Sequence, residues 1–460
     1  MASNGEPFKL HKAVFHNDIR SLKACLNARG VDVEERDCHS LTPLLLAAKL
    51  GRLDCAELLI NSGAKVDAKS DDGWSVMDEA VVYGDRELVE FFVKAGYNQA
   101  TTDLKELKPK LEEALKKVPD FTLVFQWELS SWIPLLSRVL PSDVCRLHKC
   151  GSHLRMDATL QSITDLRNRR GDLSFFIDCT DISHVIVADN IRHVKEVLKP
   201  QLSSKYVTES TSLRLSKDVV HSFISTQPIE LIRCRSGWLW RVDKEECVAG
   251  YSCPVYDITG VTLIQRRRCE HLTEEDVKRL KSLREKMKRG DGDDVDDEDG
   301  DAAAAAAAAA EGESGAESSD GSALEVPFRA SRPAPVTTAT WSDYVNSASG
   351  GLPDNVGRTP VVSQDRRQFK PTVALSDKFP IPRDLLLDIL ELFTPYKHFH
   401  KLRRLVSRLP PGFPMKVEVP LYPTITLKLA FQEFKTCSHP ASMFTVPNYD
   451  TGHVFPQQRR

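Results

Sequence analysis

Thirteen histidines and eleven cysteines in 460 residues could supply metal ligands or a nucleophile. Their spacing argues against both. Zinc ribbons and fingers need two paired ligand sets at fixed intervals, and the sequence has no Cys-x-x-Cys pair. Cys145, Cys150 and His153 lie close together without a second set, as do Cys247 and Cys253, so they read as ordinary core or surface residues. No Gly-Lys-Ser phosphate loop, dinucleotide fingerprint, nucleophile elbow or kinase motif set occurs. The expectation is a non-enzymatic protein with no catalytic residues, metal or cofactor. The cysteines are odd in number, scattered and preceded by no apolar leader, which predicts free thiols in a reducing cytosolic setting.

The densest ionisable run is Arg266-Arg267-Arg268-Cys269-Glu270-His271. It reads as a solvated strand end leading into a capped helix, with an anion-binding patch as the alternative. Trp127, Trp132, Trp238 and Trp240 read as core. Even so, Trp132-Ile133-Pro134-Leu135-Leu136 is unusually apolar after a strand and could line a groove for a hydrophobic peptide. A formal net charge of -3 speaks against nucleic acid as a partner, since phosphate binding needs a clustered basic surface. No run approaches the roughly 18 to 20 apolar residues that span a bilayer. Ala2 excludes the myristoylation pattern, and Gln457 to Arg460 is neither a prenylation box nor a retention signal. Any membrane association is therefore expected to be peripheral or through a partner.

The elements that must carry these residues begin with a repeat. Gly30, Gly63 and Gly96 recur at intervals of 33 residues, as do Gly51 and Gly84. Leu41-Thr42-Pro43-Leu44, Ala47-Ala48, Gly51 and Leu58-Leu59-Ile60 follow the turn, helix, loop, helix pattern of an ankyrin unit. Degenerate units flank it, from Leu10-His11-Lys12-Ala13 and from Trp74-Ser75-Val76-Met77. Such a stack presents loop tips and inner helices as a concave surface. Cys38, His39, Asp71, Asp72 and Trp74 are its candidate partner-binding residues, with Trp132, Ile133 and Leu135 for the later groove; plain turn residues are the alternative for the first five.

Leu104, Leu107, Leu111 and Leu115 predict a helix over 105–117 that continues the stack. From Phe121 the period changes to alternation. Strands are expected at 121–129, 173–177, 184–188, 212–215, 229–234, 238–242 and 261–266, with a hairpin turn at Ser236-Gly237 and a helix over 191–198. Together they predict an antiparallel sheet curling into a barrel or sandwich with packed helices. Thr273 opens a basic amphipathic helix whose Lys278 to Arg289 stretch is a candidate peripheral membrane contact. The acidic and alanine runs of 290–335 read as a disordered linker or long loop, with an acidic run that recruits a basic partner as the alternative. A helix from Pro382, a basic helix over 400–408 and two strands near 417–421 and 425–431 follow. The expected class is α+β: an N-terminal ankyrin-repeat α-solenoid over 8–118, then a strand-rich antiparallel domain split into 119–289 and 336–435, with an irregular tail over 436–460.

Several blocks together resemble a known family. They are Trp127-Glu128-Leu129-Ser130-Ser131-Trp132, Pro141-Ser142-Asp143-Val144-Cys145-Arg146, Arg170-Gly171-Asp172-Leu173-Ser174-Phe175, Gly250-Tyr251-Ser252-Cys253-Pro254, Arg268-Cys269-Glu270-His271-Leu272 and Pro411-Gly412-Phe413-Pro414. Behind degenerate repeats, this arrangement over roughly 8–435 is similar to the ankyrin repeat domain 13 family with its GPCR-chaperone domain. Some members carry C-terminal ubiquitin-interacting motifs; nothing of that pattern follows Phe434, so the similarity is closer to the C-type. The resemblance implies no enzyme chemistry. It implies a chaperone or quality-control adaptor, cytoplasmic and peripheral to the endoplasmic reticulum, binding membrane-protein clients such as receptors through cytosolic segments. The alternative it leaves open is an endosomal trafficking adaptor for ubiquitinated membrane cargo.

Overall fold

Three helical pairs follow the 33-residue spacing. They are α1 (Lys9–Phe15) with α2 (Ile19–Leu26), α3 (Pro43–Leu50) with α4 (Leu53–Asn61), and α5 (Val76–Tyr83) with α6 (Arg86–Lys116). The local signals are explicit. Thr42 caps α3 by accepting from the Leu45 amide at 3.3 Å, and Pro43 sits in the first turn, where a missing donor costs nothing. Gly51 then ends α3 at φ 68. In the third unit Ser75 and Asp78 form a reciprocal capping box. The computed structural model describes residues 8–132, 140–164, 167–178, 185–198, 202–225, 229–237, 242–289, 332–347, 352–353, 355–385, 387, 409, 411–420 and 425–454. Ile133, Leu135, the linker over 290–331 and the helix expected at 400–408 lie outside the described residues.

Helix α6 does not stop with the repeats. Its 31 residues reach about 46 Å at 1.5 Å per residue. Leu88, Val89 and Phe92 close the repeat core at one end, while Leu111 and Leu115 enter the core of the sheet at the other. The helix expected over 105–117 is thus the far half of one rod that joins the two cores.

Strands β1 (Phe121–Ser131), β2 (Ser142–Cys150), β3 (His153–Thr164), β4 (Arg167–Asp178), β5 (Val185–Asp189) and β6 (Val194–Leu198) pair antiparallel in sequence order. Next come α7 (Ser204–Leu215), β7 (Val219–Ser225), β8 (Glu230–Arg233), β9 (Arg235–Ser236), β10 (Val242–Asp243), β11 (Glu245–Val248), β12 (Tyr251–Thr259) and β13 (Val261–Arg268). The rest are α8 (Glu274–Arg289), α9 (Trp341–Asn346), β14 (Val362–Phe369), β15 (Thr372–Ser376), β16 (Phe413–Pro420), β17 (Ile425–Thr436) and β18 (Asp450–Thr451). The main sheet runs β11-β12-β15-β16-β17-β1-β2-β3-β4-β5-β6-β18, with β8 also on β12. This path is open among the described residues, so the strand-rich antiparallel domain is present but its main sheet does not close into a barrel. A separate sheet, β14-β13-β7, lies against the repeats.

Two local expectations are corrected. Residues 212–215 end a helix, not a strand: Ser203 caps α7, and Val207, Thr211 and Leu215 recur at helical spacing on its buried face. Residues 194–198 form a strand where a helix was expected, because Asp189 accepts from the Ile191 and Arg192 amides and turns the chain back onto β5. The tail is likewise more than irregular chain. The His439 imidazole lies 3.2 Å from Thr122 Oγ1, β18 adds a parallel pair to β6, and Val454 is fully buried.

Candidate interaction site

The loop tips of the repeats are the natural place to look for a partner, and in this structure the chain itself meets them. Asp37 organises the first tip. Its Oδ1 accepts from the His39 and Leu41 amides at 2.9 and 3.0 Å, and its Oδ2 accepts from the Tyr344 hydroxyl. The His39 ring nitrogen Nε2 lies 2.8 Å from the Tyr344 carbonyl oxygen, and Cys38 Sγ lies 3.9 Å from that of Val345. Phe15 packs on both Trp341 and Tyr344. Burial beside Asp37 drives the Tyr344 hydroxyl far above the ordinary tyrosine range, so it stays a donor.

Residues 339–347 meet the first unit, and residues 355–358 reach the inner helices of the second and third. Val356 is buried in the repeat core. Gly357, at φ +69, lies so close to α3 that a Cβ would come within 2.7 Å of the Lys49 carbonyl oxygen. The Arg358 guanidinium donates to the Val82 and Tyr83 carbonyls at the end of α5, at 2.8 and 3.1 Å. The inner-helix face is therefore covered by the chain's own later segment.

The second tip meets the three-stranded sheet. Asp71 pairs with Arg36 of the neighbouring loop at 3.0 Å, and Asp72 receives Arg266 on its carbonyl at 3.0 Å. Trp74 is buried at 5 % exposure, so it belongs to the core and is not available to a partner surface. The Arg268 guanidinium lies 5.2 Å from its ring centroid, and the His221 ring packs alongside. Trp132, by contrast, is 75 % exposed. Of the expected site residues, Cys38 and His39 come together at the first tip and Asp71, Asp72 and Trp74 at the second, while Trp132 stands apart at the end of β1.

The run Arg266 to His271 is neither a solvated strand end nor an open patch. Arg268 is 1 % exposed and bridges two buried carboxylates, Glu79 at 2.8 Å and Glu270 at 3.0 Å. Lys49 completes the set at 3.4 Å from Glu79, and Glu270 also accepts from the Val361 amide at 2.7 Å. Burial alone would raise the Glu79 carboxyl, but Lys49 and Arg268 outweigh it and hold Glu79 below the usual carboxylate range. Burial likewise opposes charge on Arg268, and Glu79 with Glu270 overcomes it. His271 is pushed down to about 4 by burial despite its 2.9 Å contact to the Lys217 carbonyl, so it is neutral near pH 7. This network locks the repeats to the second sheet. Its signal in the sequence is the presence of Lys49 and Glu79 on inner helices that, apart from the capping Asp78, are otherwise apolar.

The thiols offer no chemistry of their own at the best-buried positions. Burial pushes Cys145 up to about 12 and Cys55 up to about 11, far from thiolate formation near neutral pH. No described cysteine forms a disulfide. Among the described residues no group of three or more His, Cys, Asp or Glu is placed to hold a metal ion, and no helix is long and apolar enough to cross a membrane.

What these features define is a short ankyrin scaffold whose inner face and tips are clamped to a strand-rich partner domain of the same chain. Comparison with known proteins agrees at both ends: residues 10–103 match the ankyrin repeats (3 copies) family, and residues 155–459 match the family described as ANKRD13 C-terminal. The chain belongs to the ankyrin repeat domain-containing protein 13 family. It is 35% identical over 449 residues to human ankyrin repeat domain-containing protein 13C, spanning 96% of this chain and 77% of that one. Against 13C-B of Xenopus laevis the identity is 36%, covering 96% and 81%. Human 13B is 31% identical, covering 94% and 68%. Ankyrin repeats and this family are associated with protein interaction, not with catalysis.

Proposed function

We propose that this protein is a non-enzymatic chaperone or quality-control adaptor that binds cytosolic segments of membrane proteins during their biogenesis, at the cytosolic face of the endoplasmic reticulum. The observation that carries this reading is similarity to the 13C proteins along 96% of the chain, repeats and sheet domain together. The exposed Trp132 and the accessible basic residues Lys278, Arg279 and Lys281 of α8 are surfaces through which a client segment and a membrane would be met. Crosslinking in intact cells followed by immunoprecipitation tests it. Newly made membrane proteins and cofractionation with microsomes are expected. A purely soluble set of partners refutes it, and retention on immobilised ubiquitin would replace it with the trafficking-adaptor reading.

A further inference from the structure

Residues 339–347 and 355–358 lie on the repeats as an external peptide would, reaching the first tip through Tyr344, α3 through Gly357 and the end of α5 through Arg358. At the first unit Tyr344 is the most deeply buried contact, joined by the Trp341 ring on Phe15 and by His39 on the Tyr344 carbonyl. Tyr344 is fully buried, whereas Ser342, Asp343 and Asn346 of the same helix are exposed. A helix of six residues has no stability of its own in water, so α9 depends on the face it lies on.

The receiving loop is shaped by contacts of its own. Asp37 is 6 % exposed and is positioned by amides of its own loop. Beyond that loop it is met by the Tyr344 hydroxyl, with His11 Nε2 more distant at 3.9 Å. Removing the tyrosine would leave a buried carboxylate oxygen short of a donor next to an uncovered Phe15 ring, which is costly unless another donor and another aromatic group arrive. The face therefore selects an aromatic residue followed three positions later by a tyrosine, on one turn of helix.

We infer that Thr340 to Ser347 is an internal stand-in for a partner segment. The face built from Phe15, Asp37 and His39 receives from another protein a short helix with an aromatic residue at one position and tyrosine three residues on. The inference rests on the protein-binding reading above and names the chemistry of the segment bound. A tethered segment acts at an effective concentration on the order of millimolar. A free segment at micromolar concentration reaches the face only after α9 has left.

The test uses the full chain with Tyr344→Ala and a fluorescein-labelled peptide of residues 337–347, read by anisotropy. The variant is expected to bind at least tenfold more tightly than the wild type. Binding should be lost on adding Asp37→Asn, or when the peptide carries phenylalanine in place of its tyrosine. Trp341→Ala serves as the second variant if the first does not fold. A variant with unchanged helical ellipticity that binds no better than the wild type overturns the inference. Crosslinked recovery of membrane proteins from the same chains is scored separately. Clients without peptide binding overturn this inference and leave the adaptor reading intact, and peptide binding without clients does the reverse.

Discussion

Arg268→Met is the sharpest perturbation of the join between repeats and sheet. It removes the cation shared by Glu79 and Glu270, both nearly inaccessible to solvent, and leaves a shorter apolar chain in its place. Glu270 is then left with the Val361 amide, and Glu79 with Lys49 at 3.4 Å. Two positive and two negative side chains become one against two, with an uncompensated buried charge, and breaking a buried pair in this way costs about 3–5 kcal/mol. Replacing both Arg268 and Glu270 by Met restores charge balance around Lys49 and Glu79, so the double variant should lose only about 1–2 kcal/mol. Because the chain has two cores, a single global unfolding energy is ill-defined, and the readout should be local. Amide hydrogen exchange along β13 and α5 under mild urea gives the opening free energy there, with Trp74 fluorescence as a second probe. A loss below about 1 kcal/mol for Arg268→Met, or a double variant worse than the single one, would refute the role assigned to the network.

Two further outcomes follow from the same geometry. Burial holds His271 at about 4, so the folded state resists protonation while the unfolded chain accepts a proton near 6.5. Stability should then fall as pH drops from about 6.5 to 4, by roughly 3 kcal/mol from this group alone, and His271→Gln should flatten that part of a urea-midpoint versus pH curve. Gly51→Ala places a Cβ at φ +68 and 2.1 Å from the Tyr83 ring, so a loss of roughly 2 kcal/mol or more is expected in the repeat core, measured by exchange in α3 and α5.

How much was legible in the sequence depended on how local each cause was. The repeats could be read because Thr42, Pro43 and Gly51 act within a few residues of the helix they start and stop. Strand β1 announced itself by alternation, and β17 by the same rule. Residues 212–215 misled because Ser212, Leu213, Arg214 and Leu215 alternate in polarity, while the cap that starts their helix lies back at Ser203. Residues 191–198 misled because the turn at Asp189 decides their direction. The site depends on long-range pairing. Arg268 reaches Glu79 across 189 positions and Tyr344 reaches Asp37 across 307, and no periodicity encodes such meetings. A charged run reads as solvated until the opposite charge that buries it is known, and here that charge sits on a helix of another domain.

The span between Asp37 and Tyr344 also has a consequence for how the protein is made. Chains leave the ribosome at about 5–20 residues per second, so 307 residues take roughly 15–60 s. For much of that interval the repeats are complete in sequence, and to its end their core still lacks Tyr344 and Val356. The N-terminal unit thus waits, with its inner face uncovered, for side chains encoded far downstream. Vectorial synthesis cannot finish this solenoid from its own residues, and the last step of repeat folding is set by the late arrival of the second domain.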